Sequence, residues 1–207
     1  MRRAAIGISA HLGWAATATI TVGRPGLRVL RTDRLEIAGP DDRAAKEPYH
    51  VAGGFEGLER VPRPANPEAG LKHGLQRQRR STRRATSEIE GALAAVGHRI
   101  AFVAILVSRG RPAATFEQAI GSHTQIHIEE GIAVRESLRL ALTRSGNPVE
   151  NLDQKTIWST ASEELGRPAE DLLAQLSALR PDNEGSWRKE EKTAALAAWV
   201  AWSRGSR

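Results

Sequence analysis

The chain has 207 residues, of which 40% are apolar and 26% charged, which is enough for a sizeable hydrophobic core in a single domain spanning residues 1–207. The sequence holds no run of about 18 uncharged apolar residues, which excludes a membrane-spanning helix. It holds no cysteine, which excludes disulfides, thiolate zinc sites and cysteine nucleophiles. The first residues do not have the pattern of a secretory signal, so we expect a cytoplasmic location and no membrane partner.

The first 37 residues have the pattern of an antiparallel sheet. Residues 4–8 predict a short buried strand, and residues 15–22 alternate and are rich in β-branched side chains. Residues 27–37 alternate apolar and polar side chains, as a half-buried strand does. The pattern therefore predicts a three-strand meander. Residues 38–66 are rich in Gly, Pro and charge, and their length favours a surface excursion that covers a site.

Helices and strands alternate in the rest of the chain. Asn66, followed by a proline, predicts the start of a helix that runs to about Val96. The apolar run 100–107 predicts a strand buried on both faces. A capping box at Thr115 predicts a second long helix to about Arg144. A short edge strand, two modest helices and a buried last helix follow at about 149–152, 154–165, 168–178 and 187–203. This order indicates an α/β fold, a mixed sheet flanked by helices.

The basic side chains are concentrated on the first long helix. Residues 72–84 contain six basic side chains and no acid, which equals the formal net charge of +6. On a helical wheel these side chains form two stripes away from the apolar face. We predict that they bind nucleic acid; an acidic protein partner and a merely solvated arginine-rich face are the alternatives. The six residues are Lys72, Arg77, Arg79, Arg80, Arg83 and Arg84.

The second long helix contains the candidate metal ligands. His123, His127 and Glu130 follow one another at intervals of four and three residues, which places them on one face together with Val134 and Leu138. Burying two imidazoles and a carboxylate is costly unless they pair or bind something. We therefore predict a divalent metal ion there, Zn²⁺, Mn²⁺, Fe or Ni rather than Mg²⁺, or an acid–base pair. The alternative is a structural cluster in which Glu130 satisfies both histidines.

Four further histidines lie outside this helix. His11 follows the first strand and could join the cluster, which makes it a candidate catalytic residue beside Glu130. The 38–66 excursion could cover the end of the sheet where His11 lies and bring His50 to the cluster. The favoured interpretation is that His50 is an exposed residue of the excursion. His73 and His98, on and after the basic helix, are expected at the surface.

Three segments carry a resemblance to a known family. They are Gly7-Ile8-Ser9-Ala10-His11 after the first strand, residues 122–131 on the second long helix, and Glu191 with Ala194 before Ala195-Leu196-Ala197. With the order of elements, they resemble the RuvC-type Holliday-junction resolvases of the ribonuclease H-like superfamily. The stretch Ser-His-x-x-x-His-x-x-Glu-Gly from Ser122 is also similar to one in a bacterial family, a resemblance that implies no function.

The resemblance implies a ribonuclease H-like mixed sheet and an association with nucleic acid. Resolvases of this type hold two metal ions on acidic side chains. Here Ser9 stands where the first-strand aspartate is expected, and Leu106 or Ser108 where the fourth-strand glutamate is expected. Glu191 is the one carboxylate retained, and it is the third candidate catalytic residue. We therefore predict a RuvC-like nucleic-acid-associated protein without the two-metal centre. The alternatives are a metal-dependent hydrolase or nuclease with a His/Glu site, and a non-catalytic protein-binding subunit.

Overall fold

A computed structural model describes residues 1–24, 26–108 and 110–207 of the chain. In chain order the strands are β1 (Arg2–His11), β2 (Trp14–Gly23), β3 (Gly26–Glu36), β4 (Phe55–Glu56), β5 (Glu59–Arg60), β6 (His98–Val107) and β7 (Val149–Asp153). The helices are α1 (Arg43–Lys46), α2 (Pro48–Gly53), α3 (Pro67–Ala95), α4 (Phe116–Ala119), α5 (His123–Arg144), α6 (Ile157–Leu165), α7 (Ala169–Ala178) and α8 (Lys189–Gly205).

Five strands form one mixed sheet in the order β3-β2-β1-β6-β7. The β1, β2 and β3 strands pair antiparallel, which confirms the predicted meander. The β6 strand pairs parallel with β1 on one side and with β7 on the other, and this register places Ser9 opposite Leu106. The carboxyl ends of β1, β6 and β7 therefore meet at one edge of the sheet. The predicted α/β fold with a mixed sheet is confirmed.

Helices cover both faces of the sheet. The apolar helix α8 packs on β1, β2 and β6, with α6 and α7 beside it, and its alanines and Leu196 lie in the core of that face. The other face packs against α3 and α5 through Ile89, Leu93, Val134 and Leu138. As its apolar pattern predicts, α8 is buried. Among the described residues no helix is both long and apolar enough to cross a membrane.

The second long helix differs from the prediction. Thr115 does cap a helix, since its side chain accepts a hydrogen bond from the backbone N–H of Gln118, but this helix, α4, ends at Ala119. A new helix, α5, begins at His123 because the Ser122 side chain caps it by accepting from the N–H of Gln125. The four-residue helix α4 and the 22-residue helix α5 thus replace the single helix expected from Thr115 to Arg144.

The 38–66 segment has secondary structure of its own. It contains α1, α2 and the two-strand ribbon of β4 and β5, and it packs against α3 and α5. Pro48 occupies the first turn of α2, where its missing N–H costs nothing. Ala45, Ala52 and Phe55 are buried. The segment therefore lies over the amino-terminal half of α5, where the candidate metal ligands are.

Candidate functional site

The basic face of α3, defined as Lys72, Arg77, Arg79, Arg80, Arg83 and Arg84, points away from the protein, and all six side chains are exposed. The opposite side of the helix fixes this orientation. Gly74 lies against the carbonyl of Ala44, where a Cβ would overlap the backbone. Gln78 is fully buried, and its side-chain amide donates to the Ala45 carbonyl while its oxygen accepts from the Ser137 hydroxyl.

Acidic side chains neutralise only part of this face. Arg77 forms an ion pair of 2.6 Å with Asp42, and Arg84 forms a longer one of 3.8 Å with Glu88. Within the described parts of the chain, the other four cations have no carboxylate within 4.0 Å, the limit for an ion pair. A cleft of about 450 Å³ lies between this face and the turn that precedes α1, and it is lined by Gly39, Asp42, Arg77, Arg80, Ser81 and Arg84. The surface can accept an extended anion along α3.

A second cluster lies where α2 meets the start of α5. His50, His123 and His127 each offer a ring nitrogen, and these atoms all lie within 4.8 Å of one another. The Nε2 atoms of His50 and His123 are 3.4 Å apart, and the ring of His127 is 4.4 Å from that of His123 between centroids. His50 is buried, His123 is partly buried and His127 is exposed. The cluster is therefore open to solvent on the His127 side.

Glu130 lies behind this cluster rather than in it. One of its carboxylate oxygens accepts hydrogen bonds from the backbone N–H groups of Tyr49 (2.8 Å) and His50 (3.1 Å) and lies 3.4 Å from Nδ1 of His50. Burial raises the pKa of Glu130, although its bonds with His50 and Tyr49 oppose that shift. Glu130 thus holds α2 in place and orients the His50 ring.

The structure rearranges the predicted metal set. The predicted set was His123, His127 and Glu130; the structure brings the two histidines together with His50 and places Glu130 against the far side of the His50 ring. His127 is not on the core face, because Ile126 occupies that position in the first turns of α5. His50 is 3% exposed, so the favoured interpretation of an exposed loop residue is wrong. The proline at 48 was the signal that α2 forms here and carries His50 inward.

His11 and Glu191 lie at a different place, the edge where β1 ends and α8 begins. The His11 ring stacks on Trp14 with centroids 4.2 Å apart, and its Nε2 is 3.6 Å from Oε1 of Glu190. Glu191 accepts a hydrogen bond from the backbone N–H of Arg188 as part of a capping box. Neither residue joins the histidine cluster. The prediction that His98 lies at the surface is wrong, because this residue is 4% exposed at the start of β6.

The chain is similar to solved structures, but not to any family model or curated protein. Thermus thermophilus RuvC in complex with a Holliday junction substrate is 10% identical, with 99% of this chain and 96% of that chain covered and a TM-score of 0.52. A second Thermus thermophilus RuvC structure is 11% identical, covers 98% and 95%, and has a TM-score of 0.51. The chain has the RuvC fold.

A weaker match is the yeast mitochondrial Holliday junction resolvase Ydc2, which is 12% identical, covers 98% of this chain and 79% of that one, and has a TM-score of 0.49. The similarity to RuvC spans nearly the whole of both chains. It confirms the predicted ribonuclease H-like, RuvC-type fold.

The RuvC resemblance implies an aspartate near the end of β1 and a glutamate near the end of β6, and the structure has Ser9 and Leu106 at these positions. Ser9 and Leu106 are buried side by side at the ends of β1 and β6 and offer no carboxylate. Glu191 is engaged with the backbone of α8, and Glu190 is exposed beside His11. Across residues 1–24, 26–108 and 110–207, the one group of three or more acidic or histidine side chains that could hold an ion is the histidine cluster.

Proposed function

We propose that the chain binds nucleic acid through the basic face of α3, on a RuvC-type fold that does not use an acidic two-metal centre. The observation that carries the proposal is the row of exposed cations, four of which have no ion-pair partner among the described residues. Cations of this kind release counterions from the phosphate backbone and give binding that weakens with salt. The formal net charge of +6 adds attraction at long range.

The structural neighbour supports the choice of nucleic acid over an acidic protein. The RuvC structure that matches along nearly its whole length was solved with a Holliday junction substrate. A four-way junction is therefore the first probe, with a linear duplex of the same sequence as the second. Contacts to phosphates carry no sequence information, so we expect the binding to depend little on base sequence.

The proposal predicts a loss of affinity when unpaired cations of α3 are removed. The test variant carries Lys72→Ala, Arg80→Ala and Arg83→Ala, and the matched control carries Arg99→Ala, Arg144→Ala and Lys155→Ala, three exposed cations elsewhere in the chain. Fluorescence anisotropy with labelled junction DNA measures the dissociation constant. At about 0.1 M salt we expect the test variant to bind on the order of 100-fold more weakly. Each lost phosphate contact leaves about one counterion on the DNA, and the release of that ion no longer contributes to the binding free energy.

The control variant loses the same charge and should bind nearly as tightly as the wild type. Equal losses in both variants would show that only net charge matters and would contradict a site on α3. If the wild-type protein fails to bind either probe at low salt, nucleic acid is the wrong partner and an acidic protein becomes the candidate.

The second part of the proposal concerns cleavage. With bound junction DNA and Mg²⁺ or Mn²⁺ present, we expect no cleavage, since the described sheet edge lacks a cluster of carboxylates. The measurement is denaturing electrophoresis of end-labelled strands after prolonged incubation. Glu191→Gln is the control. Cleavage by the wild type that disappears in Glu191→Gln would show that the edge is a metal-dependent nuclease site after all.

A further inference from the structure

A separate site lies outside the basic face of α3. We propose that His50, His123 and His127 bind one Zn²⁺ ion, with Glu130 as the carboxylate that orients His50. The proposal goes beyond nucleic-acid binding and does not depend on it.

The spacing of the ring nitrogens fits a zinc ion. Zinc binds histidine nitrogens at about 2.0–2.1 Å with tetrahedral angles, which places two ligand nitrogens about 3.4 Å apart. The Nε2 atoms of His50 and His123 are 3.4 Å apart, and the ligand atoms of all three histidines lie within 4.8 Å. Because His123 is only partly buried and His127 is exposed, rotation of these two rings would bring the third nitrogen to the same spacing.

Zinc binding would replace two hydrogen-bond contacts of the His123 Nε2, one with Nε2 of His50 and one with the Gly57 carbonyl. The Nε2 of His123 lies 3.1 Å from the carbonyl oxygen of Gly57, which it can contact as a donor only while it carries a proton. A metal ligand must present a lone pair, so zinc binding would release that proton and replace this bond. The bond joins His123 to the turn between β4 and β5, which is exposed.

Glu130 provides the arrangement that metal-binding histidines commonly have. In metal sites the ring nitrogen that does not bind the ion usually donates to a carboxylate, which fixes the tautomer. Nδ1 of His50 faces Oε1 of Glu130 at 3.4 Å, so the His50 Nε2 lone pair is directed toward the other histidines. The second carboxylate oxygen of Glu130 is buried and has no hydrogen-bond partner within the described residues. A cation bound to His50 would offset the cost of this buried charge.

The three imidazole ligands favour Zn²⁺ over Mg²⁺ at this site. Imidazoles bind Zn²⁺ well, whereas Mg²⁺ prefers carboxylate and water oxygens. Three protein ligands leave the fourth tetrahedral position free, and the exposure of His127 gives water access to it. The ion would also join α2 to the first turns of α5, which holds the 38–66 segment against the helix.

The experiment measures zinc binding and its effect on stability. The protein, with any purification tag removed and with metal stripped by a chelator, is titrated with Zn²⁺ by calorimetry and melted with and without Zn²⁺. We expect one ion per chain, little response to Mg²⁺, and a Tm that rises with zinc concentration because the folded state alone holds the site.

His127→Ala is the test variant because His127 is exposed, so its truncation leaves the core intact. We expect its zinc affinity to fall by more than about 100-fold, while Glu130→Gln should cost about 10- to 100-fold, the usual effect of a supporting carboxylate. His73→Ala, an exposed histidine on α3, is the matched control and should bind as the wild type does.

Two results would overturn the site. One is a wild-type protein that binds no zinc at micromolar concentrations. The other is a His127→Ala protein that keeps the wild-type stoichiometry and affinity, since the ion would then lie elsewhere. Circular dichroism of each variant checks the fold, and His127→Gln replaces the alanine variant if that variant unfolds. Loss of zinc without loss of DNA binding would leave the proposed function untouched.

Discussion

His98 is a buried histidine whose surroundings disfavour its charged form. Burial lowers its pKa from 6.5, and the charge of Arg2 lowers it further, although the nearby backbone of Val96 acts in the opposite direction. Its Nδ1 atom is buried and has no hydrogen-bond partner among the described residues. Arg28 and Asp182 are the other charged groups that act on it, and they have opposite effects.

The lowered pKa of His98 predicts a pH dependence of stability. A histidine that titrates lower in the folded state contributes stability that is complete above the unfolded-state value of 6.5 and is lost as the pH falls through the folded-state pKa. Between about pH 7.5 and about pH 5.5 the wild type should lose more stability than His98→Gln does, by at most about 1.4 kcal/mol in total, because only the pH unit below 6.5 contributes. Urea unfolding of both proteins at the two pH values measures the difference. An equal loss of unfolding free energy in the wild type and in His98→Gln would contradict a lowered pKa of His98.

At the scale of elements, the contact between β1 and α8 is set by a glycine. The backbone of α8 approaches Gly7 so closely that a Cβ there would overlap the carbonyl group of Ala194. Backbone atoms in the middle of a buried helix cannot move aside cheaply. The small residues of α8, among them Ala194 and Ala198, permit the same approach from the other side.

Gly7→Ala should therefore destabilise the protein by about 1–3 kcal/mol, as overpacking of a core does. Gly91→Ala is the matched control, because a Cβ at this exposed position of α3 meets no atom within 4 Å. There alanine should stabilise by about 0.5–1 kcal/mol through its higher helix propensity. Urea midpoints measure both changes. A neutral Gly7→Ala would mean that β1 and α8 are further apart than the structure shows.

The elements differ in how far the sequence predicts them. The meander, the strand at 100–107 and the buried helix α8 follow from local periodicity, and each is present. The break between α4 and α5 does not follow from the cap at Thr115 alone, because a second cap at Ser122 starts a new helix. His50 was misplaced because its burial depends on α2 packing on α5, a contact between residues 80 positions apart that no local pattern reports.

At the scale of the whole molecule, the two proposed sites occupy different surfaces. The basic face lies along the outside of α3, and the histidine cluster lies between α2 and the start of α5. The 38–66 segment touches both, since Asp42 pairs with Arg77 and His50 belongs to the cluster. The RuvC fold thus carries functional candidates outside the sheet edge, which agrees with the rule that function belongs to sites rather than folds.

The salt dependence of DNA binding tests the central claim most directly. The logarithm of the association constant for junction DNA is measured against the logarithm of salt concentration for the wild type, for the triple variant at Lys72, Arg80 and Arg83, and for the control at Arg99, Arg144 and Lys155. If α3 contacts the phosphates, the test variant should reduce the magnitude of the slope by about 2–3, and the control should leave it unchanged. The same slope in all three proteins would contradict a nucleic-acid site on the basic face of α3.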